Sequence, residues 1–284
     1  MKQVKQVTRW TILLAVVGMA MLAAGCGQGT ATESAETSTI EALVPCGQVG
    51  PFSEIVLLFE EEHPDVTVEW VPENIVTITS KVIDGVAQPD VFMSMGDLEM
   101  DQVEEEGLVV EGTRTQYAAN SLCIMVPTGN PAGVRTIADL VKPEVEMIAI
   151  PNPEENSVGK HAVEAIRAAG IWDRVEDRIL YPRFAADGKD VIAQNRVQVS
   201  IGYYPCAVEV HVPGEEPATP RNIELVGQVS PELYDPFYCE GAVIKGSPNP
   251  EGGRMLLEFM TTPEAQVIFE KWSFTAESVI PEGE

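Results

Sequence analysis

Basic side chains are scarce in this sequence. The 284 residues include 18 Lys and Arg against 44 Asp and Glu, a formal net charge of −26, and no Lys or Arg lies between Arg9 and Lys81. Nucleic acid requires a basic stripe for its phosphates, and anionic lipid requires a basic cluster, so neither is a partner on charge. Histidine is equally sparse. His63, His161 and His211 lie far apart, in a helix stop, a helix and a loop, where solvated positions are expected rather than a catalytic or metal centre. None of the five cysteines is spaced C-x-x-C, which removes a zinc knuckle or thioredoxin-like site. G-x-S-x-G, H-E-x-x-H and a Walker loop are all missing, so no enzyme and no cofactor is expected. There is no internal repeat. What is present is apolar material, 45% of the chain, enough for one large or two ordinary domains. Charge alone would suggest a cationic ligand or a solubilising surface.

The first 25 residues carry Lys2, Lys5 and Arg9, no acidic residue, and an apolar run over 12–24 broken only by Gly18. That run is short for a membrane span and has the basic start of a secretory signal. Its end, Leu22-Ala23-Ala24-Gly25-Cys26, resembles a bacterial lipobox, with Cys26 as the lipidated first residue of the mature protein. Ala23 stands where the lipobox usually has a branched residue, with Leu22 one step further out. Cleaved or kept as an anchor, the segment tethers a soluble body outside the inner membrane. Residues 26–38 are small and polar and read as a flexible tether. Without residues 1–25 the formal charge becomes −29.

From Thr39 onward, short apolar strands alternate with amphipathic helices. Strands are expected over 40–45, 66–71, 89–94, 121–127, 148–150, 199–204 and 241–244. Helices are expected from Phe52 to Phe59, over 78–84, 98–106 and 159–169, and over 253–260 and 263–272. His63-Pro64 stops the first helix, and Gly107 stops the helix over 98–106. The run Ser121–Pro127 is continuously apolar, as in a strand covered on both faces. Residues 213–222 form a Pro- and Glu-rich surface loop. Glu60-Glu61-Glu62 and Glu104-Glu105-Glu106 read as solvated helix ends. Alternation of this kind predicts an α/β architecture with parallel strands.

The order of several segments carries more than any one motif. Phe59-Glu60-Glu61-Glu62-His63-Pro64-Asp65-Val66-Thr67-Val68 resembles the opening of bacterial solute receptors. Pro89-Asp90-Val91-Phe92-Met93-Ser94-Met95, then Met100 and Gly107-Leu108-Val109, is similar to their next block, and Asn120-Ser121-Leu122 before an apolar strand is the third. Residues 153–166, PEENSVGKHAVEAI, followed by Gly170-Ile171-Trp172-Asp173, resemble the molybdate-binding proteins of ABC importers. Gly202-Tyr203-Tyr204 and the closing stretch from Phe259 to Phe269 near Phe274 complete six blocks in order over 39–275.

The resemblance implies a two-lobed periplasmic binding protein of type II, each lobe a mainly parallel sheet flanked by helices, joined by two crossing strands. Residues 39–120 plus 240–280 would form lobe I and 121–239 lobe II. It implies a monomeric, lipid-anchored receptor on the periplasmic or extracellular face of the cytoplasmic membrane. That receptor binds molybdate or tungstate between the lobes and delivers it to an ABC permease and its ATPase. Family binding loops fall on Cys46-Gly47-Gln48, on Asn74 to Thr77, on Ser157-Val158-Gly159, on Gly188 and on Tyr204. Gly47 stands where the family has a serine, and Val158 where it has an alanine. Two departures are cysteines. Cys46 lies on the first loop and Cys206 two residues beyond Tyr204. They read as small buried residues, as a disulfide tying the lobes, or as ligands of a thiophilic metal or another softer species. Cys123 and Cys239 fall on the presumed crossing strands, as a structural disulfide or as two buried thiols. These loops hold one lysine, Lys189, and no acidic cage, so the negative charge is expected on the outer surface.

Overall fold

The structure is a computed structural model that describes residues 37–207 and 222–274. The signal segment, Cys26, the tether through residue 36, His211 and the loop through residue 221 lie outside the described residues. β1 (Ser38–Pro45) leads through a single 3-10 turn, Cys46–Gln48, into α1 (Val49–Glu62). The buried face of α1 is Phe52, Ile55, Val56 and Phe59, at the spacing the sequence shows. β2 (Val66–Glu73) follows, then α2 (Ile75–Ile83), whose N-cap Asn74 accepts from the Val76 N–H at 3.0 Å. β3 (Val91–Met93) and α3 (Asp97–Glu105) come next, and α3 is followed by Gly107 at φ +70°. β4 (Thr115–Asn120) is separated from β5 (Leu122–Pro127) by Ser121 alone.

The second half starts with β6 (Ile148–Ala149) and α4 (Ser157–Ala168), capped by Asn156. α5 (Trp172–Val175), β7 (Ile179–Leu180), α6 (Ala185–Ala193), β8 (Val199–Tyr203) and the short α7 (Tyr204–Ala207) follow. The described chain ends with β9 (Ile223–Gln228), β10 (Phe237–Val243), α8 (Pro250–Phe259) and α9 (Pro263–Lys271). Both last helices begin with a proline behind an Asn or Thr cap, a start signal legible in sequence.

Two five-stranded sheets result, in the orders β2-β1-β3-β10-β4 and β7-β6-β8-β5-β9. They share one plan. β1 pairs in parallel with β2 and β3, and β10 alone runs against its neighbours β3 and β4. In the second sheet β6 pairs in parallel with β7 and β8, and β5 alone runs against β8 and β9. The chain crosses between the sheets at Ser121 and again over 229–236. Each sheet is therefore mainly parallel and flanked by helices, as expected. β5 is buried at every residue, although it is antiparallel to both neighbours. Its apolar run reflects cover on both faces, not strand direction.

Two expectations are corrected. Cys123, on β5, sits between Gly202 and Gln228, while Cys239, on β10, lies opposite Ala118 in the other sheet. Both are buried free thiols; Cys46 and Cys206 are also free, so no disulfide joins the crossings or the lobes, but Cys46 is exposed and Cys206 only partly buried, not the small buried residues expected. Glu60 is not merely solvated: its Oε1 accepts from the Val68 N–H of edge strand β2 at 2.8 Å.

Candidate functional site

In open α/β sheets, ligands collect beyond the carboxyl ends of the strands. Here a cavity of about 430 Å³ lies at those ends in both sheets. From the first sheet it is lined by Pro45, Cys46 and Gly47 after β1, Gly50 in α1, Asn74 and Ile75 at the start of α2, and Met95 after β3. From the second come Met125 of β5, Ala185, Ala186 and Lys189 of α6, Gly202 and Tyr203 of β8, and Pro205 and Cys206 of α7. Trp272 and Phe274 complete it after α9. Among the described residues no carboxylate lines the cavity, and the one charged side chain is Lys189, whose ammonium donates to the Cys206 carbonyl. The starts of α1, α2 and α6 meet here, and the first turn of a helix presents backbone N–H groups and the positive end of its dipole.

The sequence-derived candidates divide between this cavity and its surroundings. Cys46, Gly47 and Asn74 line it, as does Cys206. Gln48 is buried behind it. Its Nε2 donates to the Ser94 carbonyl at 2.8 Å, and its Oε1 accepts from the Tyr117 hydroxyl at 2.6 Å. Thr77 lies in the first turn of α2 and Tyr204 opens α7, its N–H donating to the Ser121 carbonyl at 2.8 Å. Gly188 packs on β8, where an added Cβ would come within 2.5 Å of Ser200 Oγ.

Ser157 and Val158 are turned to a different purpose. The Ser157 N–H donates to Glu99 Oε1 at 3.0 Å and its hydroxyl donates to Glu99 Oε2. The Val158 N–H donates to the Asn156 side chain at 3.0 Å. Glu99, on α3, is completely buried. Burial pushes its carboxyl upward, against the Ser157 donors that favour the ionised form. The start of α4 thus already holds a carboxylate supplied by the chain itself. Nothing in the local sequence marks Glu99 for this, since its partner is 58 residues away.

His161 is a further correction. It is 1% exposed rather than solvated, stacked on Phe237 with ring centroids 4.3 Å apart. Its Nδ1 is 2.7 Å from Glu164 and its Nε2 3.0 Å from Asp97. Lys160 pairs with the same Asp97. Burial alone would raise the Asp97 carboxyl, but the hydrogen bonds from His161 and Lys160 outweigh it and hold the group far below the aspartate range. The thiols go the other way. Burial pushes Cys206 up to about 11 and Cys123 to about 12, and it raises Cys46 as well.

Two sheets of one plan, crossed twice and enclosing a cavity at their carboxyl ends, define a two-lobed periplasmic binding protein of type II. The sequence agrees: residues 42–275 match the family of bacterial extracellular solute-binding proteins, and the chain belongs to that family. YvgL of Bacillus subtilis, provisionally named an ABC transporter substrate-binding lipoprotein, is 23% identical over 270 residues, 95% of this chain and 99% of that one. The molybdate-binding protein ModA of Rhodobacter capsulatus is 24% identical over 268 residues, covering 94% and 95%. Among solved structures, the periplasmic molybdate-binding protein of Azotobacter vinelandii matches 84% of this chain and all of its own with a TM-score of 0.65 at 14% identity. The sulfate-binding protein SubI of Mycobacterium tuberculosis gives 0.68 over 86% and 88% at 18% identity. These likenesses show the shared fold, and the relatives are solute-binding proteins, not enzymes.

Proposed function

We propose that this chain is the receptor of an ABC importer for a tetrahedral oxyanion of the molybdate and tungstate class. It holds the anion between its lobes and passes it to a permease driven by an ATPase. The observation that carries the reading is the convergence of three helix starts, from both sheets, on a cavity with no carboxylate among its described lining residues. Cys46, Gly47, Asn74, Lys189 and the first turn of α6 are the donors nearest to hand. Relatives named for molybdate add support. Cys26 anchors the monomeric receptor by its lipid on the outer face of the cytoplasmic membrane.

A thermal-shift series with molybdate, tungstate, sulfate and phosphate tests this. Stabilisation should grow as RT ln(1 + [L]/Kd) for molybdate and tungstate and stay smaller for sulfate and phosphate. Absence of any shift with molybdate and tungstate, at concentrations that saturate a molybdate receptor, overturns it.

A further inference from the structure

The cavity also gathers sulfur, which anion binding does not use. Cys46, Met95, Met125 and Cys206 all line it, and they follow β1, follow β3, lie in β5 and follow β8 respectively. Two of them meet at one spot. A Cβ added to Gly47 would stand 2.6 Å from Cys206 Sγ and 3.3 Å from Met95 Sδ, so both sulfurs flank the space that the missing side chain leaves. Polar contacts hold each in place. Gln48 Nε2 lies 3.5 Å from the Met95 sulfur, Asn120 Nδ2 donates to the Met95 carbonyl at 2.9 Å, and Lys189 donates to the Cys206 carbonyl.

The donor set selects the ion. Thiol and thioether are soft donors, matched to Cu(I) and its analogues, whereas carboxylate and carbonyl suit hard ions. Among the described residues no group of three or more His, Cys, Asp or Glu is disposed to hold a metal. Among those residues a tetrahedral zinc site, which takes four such ligands or three and water, lacks its donors. A monovalent thiophilic ion is satisfied by two thiolates and a thioether.

We propose that the cavity is also a soft-cation site, in which the sulfurs of Cys46, Cys206 and Met95 hold a monovalent thiophilic ion of the Cu(I) and Ag(I) type. The inference rests on the cavity being the receptor's ligand chamber and concerns which ligand class that chamber accepts. On binding, each cysteine thiol gives its proton to solvent and its sulfur lone pair to the ion, with no change of oxidation state.

The test is a titration of the mature full chain with Ag(I) in chloride-free buffer, followed by calorimetry and by the ultraviolet thiolate-to-metal band. Zn(II) is run alongside. A single equivalent of Ag(I) should bind. Cys206→Ser and Met95→Leu should each weaken binding about 10-fold or more, and the Cys46→Ser/Cys206→Ser pair should abolish the band. Cys206→Ala, checked for native circular dichroism, guards against a variant that fails to fold. Ag(I) affinity unchanged in all of these, or Zn(II) bound as tightly as Ag(I), overturns the inference. The oxyanion reading fails separately. Silver binding through these sulfurs without a molybdate shift upholds the soft site alone, and a molybdate shift without silver binding removes only the soft site.

Discussion

At the scale of single residues, the junction between α3 and α4 combines two opposite electrostatic situations within a few ångströms. Asp97 is ionised and held so by Lys160 and His161, while Glu99 beside it is buried against the donors of Ser157. For Asp97 the folded-state value is depressed, so its contribution to stability is present above the ordinary aspartate value of 3.8 and is lost as pH falls below it. Asp97→Asn should therefore destabilise the protein at about pH 7, and the gap from the unmodified chain should shrink by about pH 3 in urea unfolding. An equal gap at both values would show that the ion pairs do not supply it. Removing the other carboxylate acts through desolvation. Glu99→Ala leaves a buried N–H and a buried hydroxyl without their acceptor, a cost of about 1–3 kcal/mol for each group. The same unfolding measurement reads it.

At the scale of elements, the helices were legible but their first turns were not, since those expected from 78, 159 and 253 start at Ile75, Ser157 and Pro250. Asn74, Asn156, Asn249 and Thr262 each cap a helix with the side chain the sequence places there. Asn156→Ala should cost about 1 kcal/mol. Gly159 in the same first turn is required by packing rather than by backbone conformation. An added Cβ would lie 2.2 Å from the Pro151 carbonyl oxygen, so Gly159→Ala should lower stability by about 1–3 kcal/mol and shift the thermal midpoint down. β4, β7, α6 and β9 were not legible. β7 is two residues long, α6 interrupts its apolar period with Gly188, and β9 is only half-buried along its length. Such elements are formed by neighbours in the sheet rather than by their own pattern.

At the scale of the whole molecule, the two crossings at Ser121 and over 229–236 leave the sheets able to move as bodies about short hinges. If molybdate bridges donors from both sheets, small-angle scattering should show a smaller radius of gyration on its addition, and no change would argue against closure. Export and anchoring belong to this scale too. If Cys26 carries the proposed lipid, Cys26→Ala should move the protein from the membrane fraction to the soluble extracellular fraction, as read by fractionation and blotting. If the proposed permease is docked through the acidic surface of this chain, that docking should weaken as salt rises, on the scale of the Debye length, about 8 Å at physiological ionic strength.

The sequence by itself determined the strand and helix alternation and the order of blocks that marks a solute receptor. Each depends on residues within one turn, one pleat or one short segment. Tertiary structure alone decided which of the candidate donors meet. It brought Cys46, Asn74 and Cys206 to one cavity, added Met95, and turned Ser157 to serve Glu99. It buried His161, which the sequence placed in solvent. The reason is physical: local periodicity sets which face of an element is apolar, but partners 58 to 160 residues apart meet only once two sheets have been crossed and packed.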